Sequence, residues 1–244
     1  MVTRILIILL ALTLSASAQR ICPPNQVNRN GLVGRWLVPG KQTGTVATPT
    51  LCLDDSGKGN HGTVVSNANY GIIFSRPAMT FDGSSQYVIV GSPSVLNFGV
   101  INFSISAWVK TASGASFIVV VAKANQTLTQ YYLVVANGKV AAQEGNGFQG
   151  IGSVTVSDGN WHHIVAVFPT IGTLNIYTDA KQEIVSGGDI YGANLISNDV
   201  MIGARRNNSN SDAFRFFNGS INDVRVYRRA LSAAEIRAIY QGQQ

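Results

Sequence analysis

The side chains able to do chemistry in this sequence are few and scattered, and oxygen ligands lead them. Asp55 and Asn60 lie in an early polar run, and Asn222 and Asp223 form a pair near the other end. Calcium takes oxygens from carboxylates, amide carbonyls and backbone. These four residues could supply such a set if the early loop folds beside the late segment. The same residues also read as turns whose Asp and Asn side chains cap backbone N–H groups. His162 and His163 are adjacent, so on a strand they point to opposite faces and cannot chelate one ion. His61 stands alone in sequence, and packed or turn-bonded histidines are the expectation. Glycoside hydrolysis needs two carboxyl groups, about 5 Å apart in retaining enzymes and wider in inverting ones. Glu144 has no acidic neighbour in sequence, and neither a G-x-S-x-G elbow nor a Cys-His pair occurs. No catalytic residue is assigned, and the chain is read as a non-enzyme. Sugar binding uses aromatic faces beside polar groups. Tyr132 and Phe148 are candidate platforms, and Arg205 and Arg206 open a polar, Asn-rich loop suited to anionic sugars. The bland reading of these residues is core aromatics and a solvated loop.

Short β-rich runs must position these groups. Examples are Phe103 to Lys110, Ser116 to Lys123, Tyr131 to Ala136, Lys139 to Gln143, Trp161 to Phe168 and Gln182 to Val185. Turn signals such as Asp82-Gly83, Asn137-Gly138 and Asp158-Gly159-Asn160 separate them. Regular short strands of this kind predict an all-β, two-sheet antiparallel sandwich. No low-complexity linker or internal repeat divides it. One helix is signalled, at the end. Ser232 and Glu235 form a capping box, and Ile236, Ile239 and Tyr240 fall on one face.

The 244-residue chain opens with Arg4, a short apolar run from Ile5 to Leu14, and Ala16-Ser17-Ala18. This is the pattern of a cleaved signal peptide over residues 1–18, too short to span a bilayer. The expected division is therefore that segment, an N-terminal arm at 19–30, and one domain over 31–244, secreted to the extracellular space. Cys22 and Cys52 would then sit in an oxidising compartment, where one disulfide between them is expected. It would be worth about 3 kcal/mol in the chain-entropy model. Asn102, Asn125, Asn207 and Asn218 head N-x-S/T glycosylation sequons. Without Arg4 the net charge is +5, and from Met201 onward seven arginines face three acids. Such a basic end suits anionic glycans or matrix, and equally a solvated surface. Nucleic acid is not an expected partner there, and the mature chain is expected to carry no membrane span.

Several segments resemble one family in order. They are Gly31 to Trp36, the D-D-S-G-K-G-N-H-G loop from Asp54 to Gly62, and Met79 to Val88 with its F-D-G. They continue with the F-S-I-S-A-W-V-K strand at Phe103 to Lys110, D-G-N-W-H-H-I at Asp158 to Ile164, Val200 to Ala204, and Gly219 to Ser232. Together the chain resembles laminin-G-like, concanavalin A-like jelly-roll domains over about residues 31 to 241. The resemblance implies an all-β concanavalin A-like jelly roll with a short C-terminal helix. It also implies that the early loop and closing strand lie together around a structural calcium ion. Here Asn222 replaces the usual first carboxylate, which would weaken such a site. The fold hosts lectins, adhesion modules and hydrolases alike. The expected function is a secreted, non-catalytic, lectin-like carbohydrate-binding protein. Its alternative is an extracellular matrix or adhesion component using the sandwich for protein contacts, with a glycoside hydrolase ranked third.

Overall fold

The structure is a computed structural model and describes residues 28–37, 51–73, 76–145, 147, 149–188, 195–207 and 212–242. The expected signal segment, most of the arm, Cys22 and Phe148 lie outside the described residues.

In chain order the strands are β1 (Leu32–Trp36), β2 (Leu51–Cys52), β3 (Gly62–Val65), β4 (Asn69–Ile73), β5 (Arg76–Asp82) and β6 (Tyr87–Gly91). Then follow β7 (Phe103–Lys110), β8 (Ile118–Ala124), β9 (Thr129–Ala136), β10 (Lys139–Glu144), β11 (Gly150–Thr155) and β12 (Trp161–Phe168). The last are β13 (Asn175–Thr178), β14 (Lys181–Gln182), β15 (Val200–Ile202), β16 (Arg205–Arg206), β17 (Ala213–Phe214), β18 (Asn218–Tyr227) and a helix, α1 (Ala233–Gln241).

Two antiparallel sheets result. The first runs β14-β13-β12-β7-β18-β5-β4, with β1 also paired to β18. The second runs β11-β10-β9-β8-β15-β6-β3-β2, and β16 pairs with β17 as a small hairpin. This is the expected sandwich. β18 is the hinge of the first sheet. One edge pairs with β7 along both halves; the other pairs with β5 at Asn218–Ile221 and β1 at Val224–Tyr227.

Period-2 side chains decide what each strand buries. Phe103, Ile105, Ala107 and Val109 of β7 enter the core, as do Tyr131, Leu133 and Val135 of β9. The centre is aromatic. Phe103 stacks on Phe98 at 4.5 Å and on Phe168 at 4.3 Å, with Tyr131 tilted against it from the opposite sheet at 5.5 Å. The alternate residues of the first sheet are buried too, because α1 lies over them. Val165, Val167, Tyr177 and Tyr227 pack with Ile236 and Ile239, and Tyr240 stacks on Trp108 at 5.5 Å. The helix starts where its capping box requires, with Ser232 Oγ accepting from the Glu235 amide and Glu235 Oε2 accepting from the Ser232 amide.

The strand expected at Gln182 to Val185 is cut short at Gln182. Glu183 turns inward instead, accepting hydrogen bonds from the Val154 amide at 2.7 Å and from the Thr178 hydroxyl. β4, unmarked by alternation in the sequence, pairs along its length with β5.

Glu144 ends β10, opposite Tyr131, whose ring belongs to the core. Glu144 is 3 % exposed, and its Oε2 has no hydrogen-bond partner among the described residues. Burial pushes this carboxyl up to about 7 from an ordinary 4.5. As pH rises from about 4.5 to 7 the unfolded chain releases this proton while the folded one keeps it, so stability falls across that window. Glu144→Gln is therefore expected to flatten the pH dependence and to exceed wild-type stability above pH 7 by on the order of 2 kcal/mol. Urea unfolding at pH 5 and pH 8 measures it, and equal pH dependence in both proteins would contradict it. Phe103→Ala removes the middle ring of the stack and is expected to cost about 3–5 kcal/mol in the same assay.

Candidate functional site

The outer face of the second sheet carries a second apolar layer. The residues alternating with the core there are Val119, Ala122, Tyr132, Val134 and Ala141, with Phe117 packed against them. The β16–β17 hairpin is clipped to this face, the Val119 amide donating to the Arg215 carbonyl at 3.0 Å. Arg215 adopts φ 61°, a left-handed backbone that costs a non-glycine residue energy unless its surroundings hold it.

The clip brings two guanidinium groups onto one ring. Arg205 lies 5.2 Å from the Phe117 centroid and Arg215 lies 5.4 Å from it. Arg205 also covers Phe214 at 4.7 Å. Phe117 meets Tyr132 edge-on at 5.4 Å, and the Tyr132 hydroxyl donates to Gln143 Oε1. Burial pushes the Tyr132 hydroxyl up to about 12, opposed by Arg205. Burial also lowers Arg205 from its ordinary range, with Tyr132 opposing and the like charge of Arg215 adding. Among the described residues neither guanidinium has a carboxylate partner, and the buried Arg205 Nε has no hydrogen-bond acceptor. Two like charges thus lie over aromatic faces without a carboxylate partner among the described residues, an arrangement whose free N–H donors can take an anion.

Of the ligand residues expected from sequence, Tyr132 and Arg205 come together. Arg206 is held by Asp199 instead. Phe117, Phe214 and Arg215 were not expected. The alternation of Phe214, Arg215 and Phe216 is the one trace of Phe214 and Arg215 in the sequence. Without the hairpin pairing it does not reveal which ring they cover.

The oxygen-bearing residues lie around β1 and β18. Asp54 closes its loop as a turn cap. Its Oδ1 accepts from the Arg35 and Ser56 amides at 2.9 and 2.8 Å, and its Oδ2 from Ser56 Oγ and the Asn60 amide at 2.8 and 2.9 Å. Asn60 donates its side-chain amide to the Val33 carbonyl and accepts Trp36 Nε1 on its own carbonyl. Asp55 Oδ2 accepts from Arg35 at 2.9 Å and Arg29 at 3.4 Å. Ile221 and Val224 both enter the core, and the register shifts between Asn222 and Arg225, a bulge in which Asp223 takes φ 46°. Asp223 Oδ1 accepts from Arg35 Nε at 2.8 Å and Arg225 Nε at 3.0 Å, and its Oδ2 also binds Arg225. These opposite charges lower Asp223 against the burial that raises it. Arg225 is thus an internal ion-pair partner, not part of the basic end. Asn222 is buried, its Oδ1 unpartnered among the described residues.

The histidines sit in bonded positions. His162 Nδ1 is 2.8 Å from Asp179, His163 Nε2 is 2.9 Å from Ser106 Oγ on the other face, and His61 Nδ1 accepts the Asp54 amide. Cys52 is buried at the edge of the core. Among the sequons, Asn102 and Asn218 are exposed and Asn207 is half-buried. Asn125 is buried, its Oδ1 accepting from the Thr127 amide and hydroxyl and from the Leu128 amide.

Comparison with known proteins places this architecture. Structures with the same fold include the binding domain of Paraclostridial Mosquitocidal Protein 1, at TM-score 0.67 and 15 % identity over 87 % of this chain and 52 % of that one. Another is botulinum neurotoxin type C, which enters cells dependent upon interaction with two ganglioside molecules, at TM-score 0.67 and 15 % identity over 88 % of this chain and 52 % of that one. A third is the binding domain of botulinum neurotoxin DC in complex with rat synaptotagmin II, at TM-score 0.67 and 16 % identity over 88 % and 52 %. The chain spans about half the length of these structures. Among curated proteins none matches its sequence. Residues 82–237, more than half of the chain, match the Laminin_G_3 family model. The chain therefore belongs to the concanavalin A-like lectin/glucanases superfamily.

Proposed function

We infer that this protein is a secreted, non-catalytic, lectin-like binding protein that takes anionic saccharides on the Arg205–Arg215 platform. One observation carries the reading: two guanidiniums share the Phe117 ring with no carboxylate partner among the described residues. A sulfate or carboxylate group suits the guanidinium fork, which offers paired N–H donors to its oxygens. The likeness to a toxin that interacts with gangliosides supports a glycan ligand. The likeness to one bound to synaptotagmin II supports the second reading, an adhesion or matrix role through protein contacts on the same sandwich.

A glycan array carrying neutral, sialylated and sulfated saccharides separates the two. The expected result is binding to the anionic set, weakening as salt rises. A hydrogen bond to a charged group is worth about 1.5–3 kcal/mol. Arg215→Ala should thus weaken binding by roughly ten- to a hundredfold without lowering the melting temperature. No glycan signal, or a signal that Arg205→Ala and Arg215→Ala leave unchanged, would sink the saccharide reading and favour protein contacts. If the chain passes through a secretory pathway, peptide mapping of the secreted protein should find glycan on Asn102 and Asn218 and an unmodified Asn125. Glycan on Asn125 alone would contradict the burial of its amide.

A further inference from the structure

The geometry around β1 does not match the calcium site that the resemblance implies. Asp55 and Asp223 do lie close together, as a shared cation requires. The cation between them is Arg35, which binds Asp55 at 2.9 Å and Asp223 at 2.8 Å. The local charge is already closed: Asp54, Asp55 and Asp223 stand with Arg29, Arg35 and Arg225. All four oxygens of Asp54 and Asp223 accept hydrogen bonds from protein groups. A divalent ion entering here would meet three guanidiniums and no net negative charge, so the residues do not fit it. Among the described residues no group of three or more His, Cys, Asp or Glu side chains is placed to hold a metal.

We propose that the Arg35 guanidinium takes the place of a calcium ion. It ties the first strand and the Asp54–Asn60 loop to the closing strand, and makes this junction independent of metal. The substitution has a logic in the ladder. Arg35 lies directly opposite Arg225, and like charges across a strand pair repel. The bulge at Asp223 sets a carboxylate between them, so the pair of arginines becomes a bridge. Beside it, the buried Asn222 Oδ1 has no hydrogen-bond partner among the described residues. The inference does not depend on glycan binding.

Calcium titration of the wild-type protein tests it directly. The melting temperature in EDTA and in millimolar calcium should be the same. An ion bound at a hundred times its dissociation constant would raise it by about 5–10 °C. Terbium provides the second readout, because Trp36 donates to Asn60 and is placed to sensitise an ion held there. Saturable terbium emission that calcium displaces, or a calcium-dependent rise in melting temperature, would overturn the proposal. Arg35→Met keeps the stem and removes the charge, leaving three carboxylates to two arginines. It should melt lower in EDTA and regain several degrees in millimolar calcium. A folded Arg35→Met protein indifferent to calcium would also overturn it, and if that variant does not fold, the wild-type titrations decide.

Discussion

The junction of the first and closing strands is held by one buried carboxylate between two arginines. Asp223 sits in a left-handed bulge of β18, with Arg35 from β1 and Arg225 from its own strand on its oxygens. β18 is the strand on which β1, β5 and β7 all pair, so the ion bridge sits at the crossing of the first sheet. Removing one member of such a buried set leaves an uncompensated charge and typically costs about 3–5 kcal/mol. The bulge also fixes geometry. It lets Ile221 and Val224 both face the core while Asn222 and Asp223 both leave it, which strict alternation forbids.

The two outer faces of the sandwich are finished differently. α1 seals the first sheet with Ile236, Ile239 and the Tyr240–Trp108 stack. Among the described residues the second sheet receives a hairpin of two-residue strands and the rings of Phe117 and Phe214. That cover excludes water from the apolar layer but leaves charged groups at its surface. On this face guanidiniums lie over aromatic rings with no acid to satisfy them among the described residues, which is the basis of the anion reading proposed above. The loop-to-sheet clip at Arg215 matters for the same reason, since a backbone held in an unfavourable conformation fixes where the guanidinium points.

Much of this was legible in the sequence, for identifiable reasons. The period-2 runs around Phe103, Tyr131 and Trp161 fixed the strands, and Ser232 with Glu235 fixed the helix start, because both signals are local. The family motifs supplied the pairing order that local signals lack. What escaped was non-local. The sequence offers Asp55, Asn60, Asn222 and Asp223 as one oxygen set, but nothing in Gly34-Arg35-Trp36 says that Arg35 will reach Asp55 and Asp223. Phe117 and Arg215 were missed because a hairpin of two-residue strands has no period to detect. Arg206 was grouped with Arg205 by adjacency, whereas adjacent strand residues diverge, and Asp199 takes it.

The arginines therefore cannot be weighed as a single basic end. Counted along the chain, the residues after Met201 look uniformly cationic. In space, Arg225 is consumed by Asp223, Arg229 by Glu235 and Arg206 by Asp199. Each of these charges is spent on joining elements and contributes little to a distant ligand once neutralised at contact distance. Arg228 lies over Phe98 at 6.0 Å but donates to the Asn97 carbonyl, whereas Arg205 and Arg215 differ in sharing one ring, which attracts cations without cancelling their charge. A net charge of either sign thus says little about where an anion would bind. The deciding quantity is which guanidiniums fold against carboxylates and which against aromatic faces.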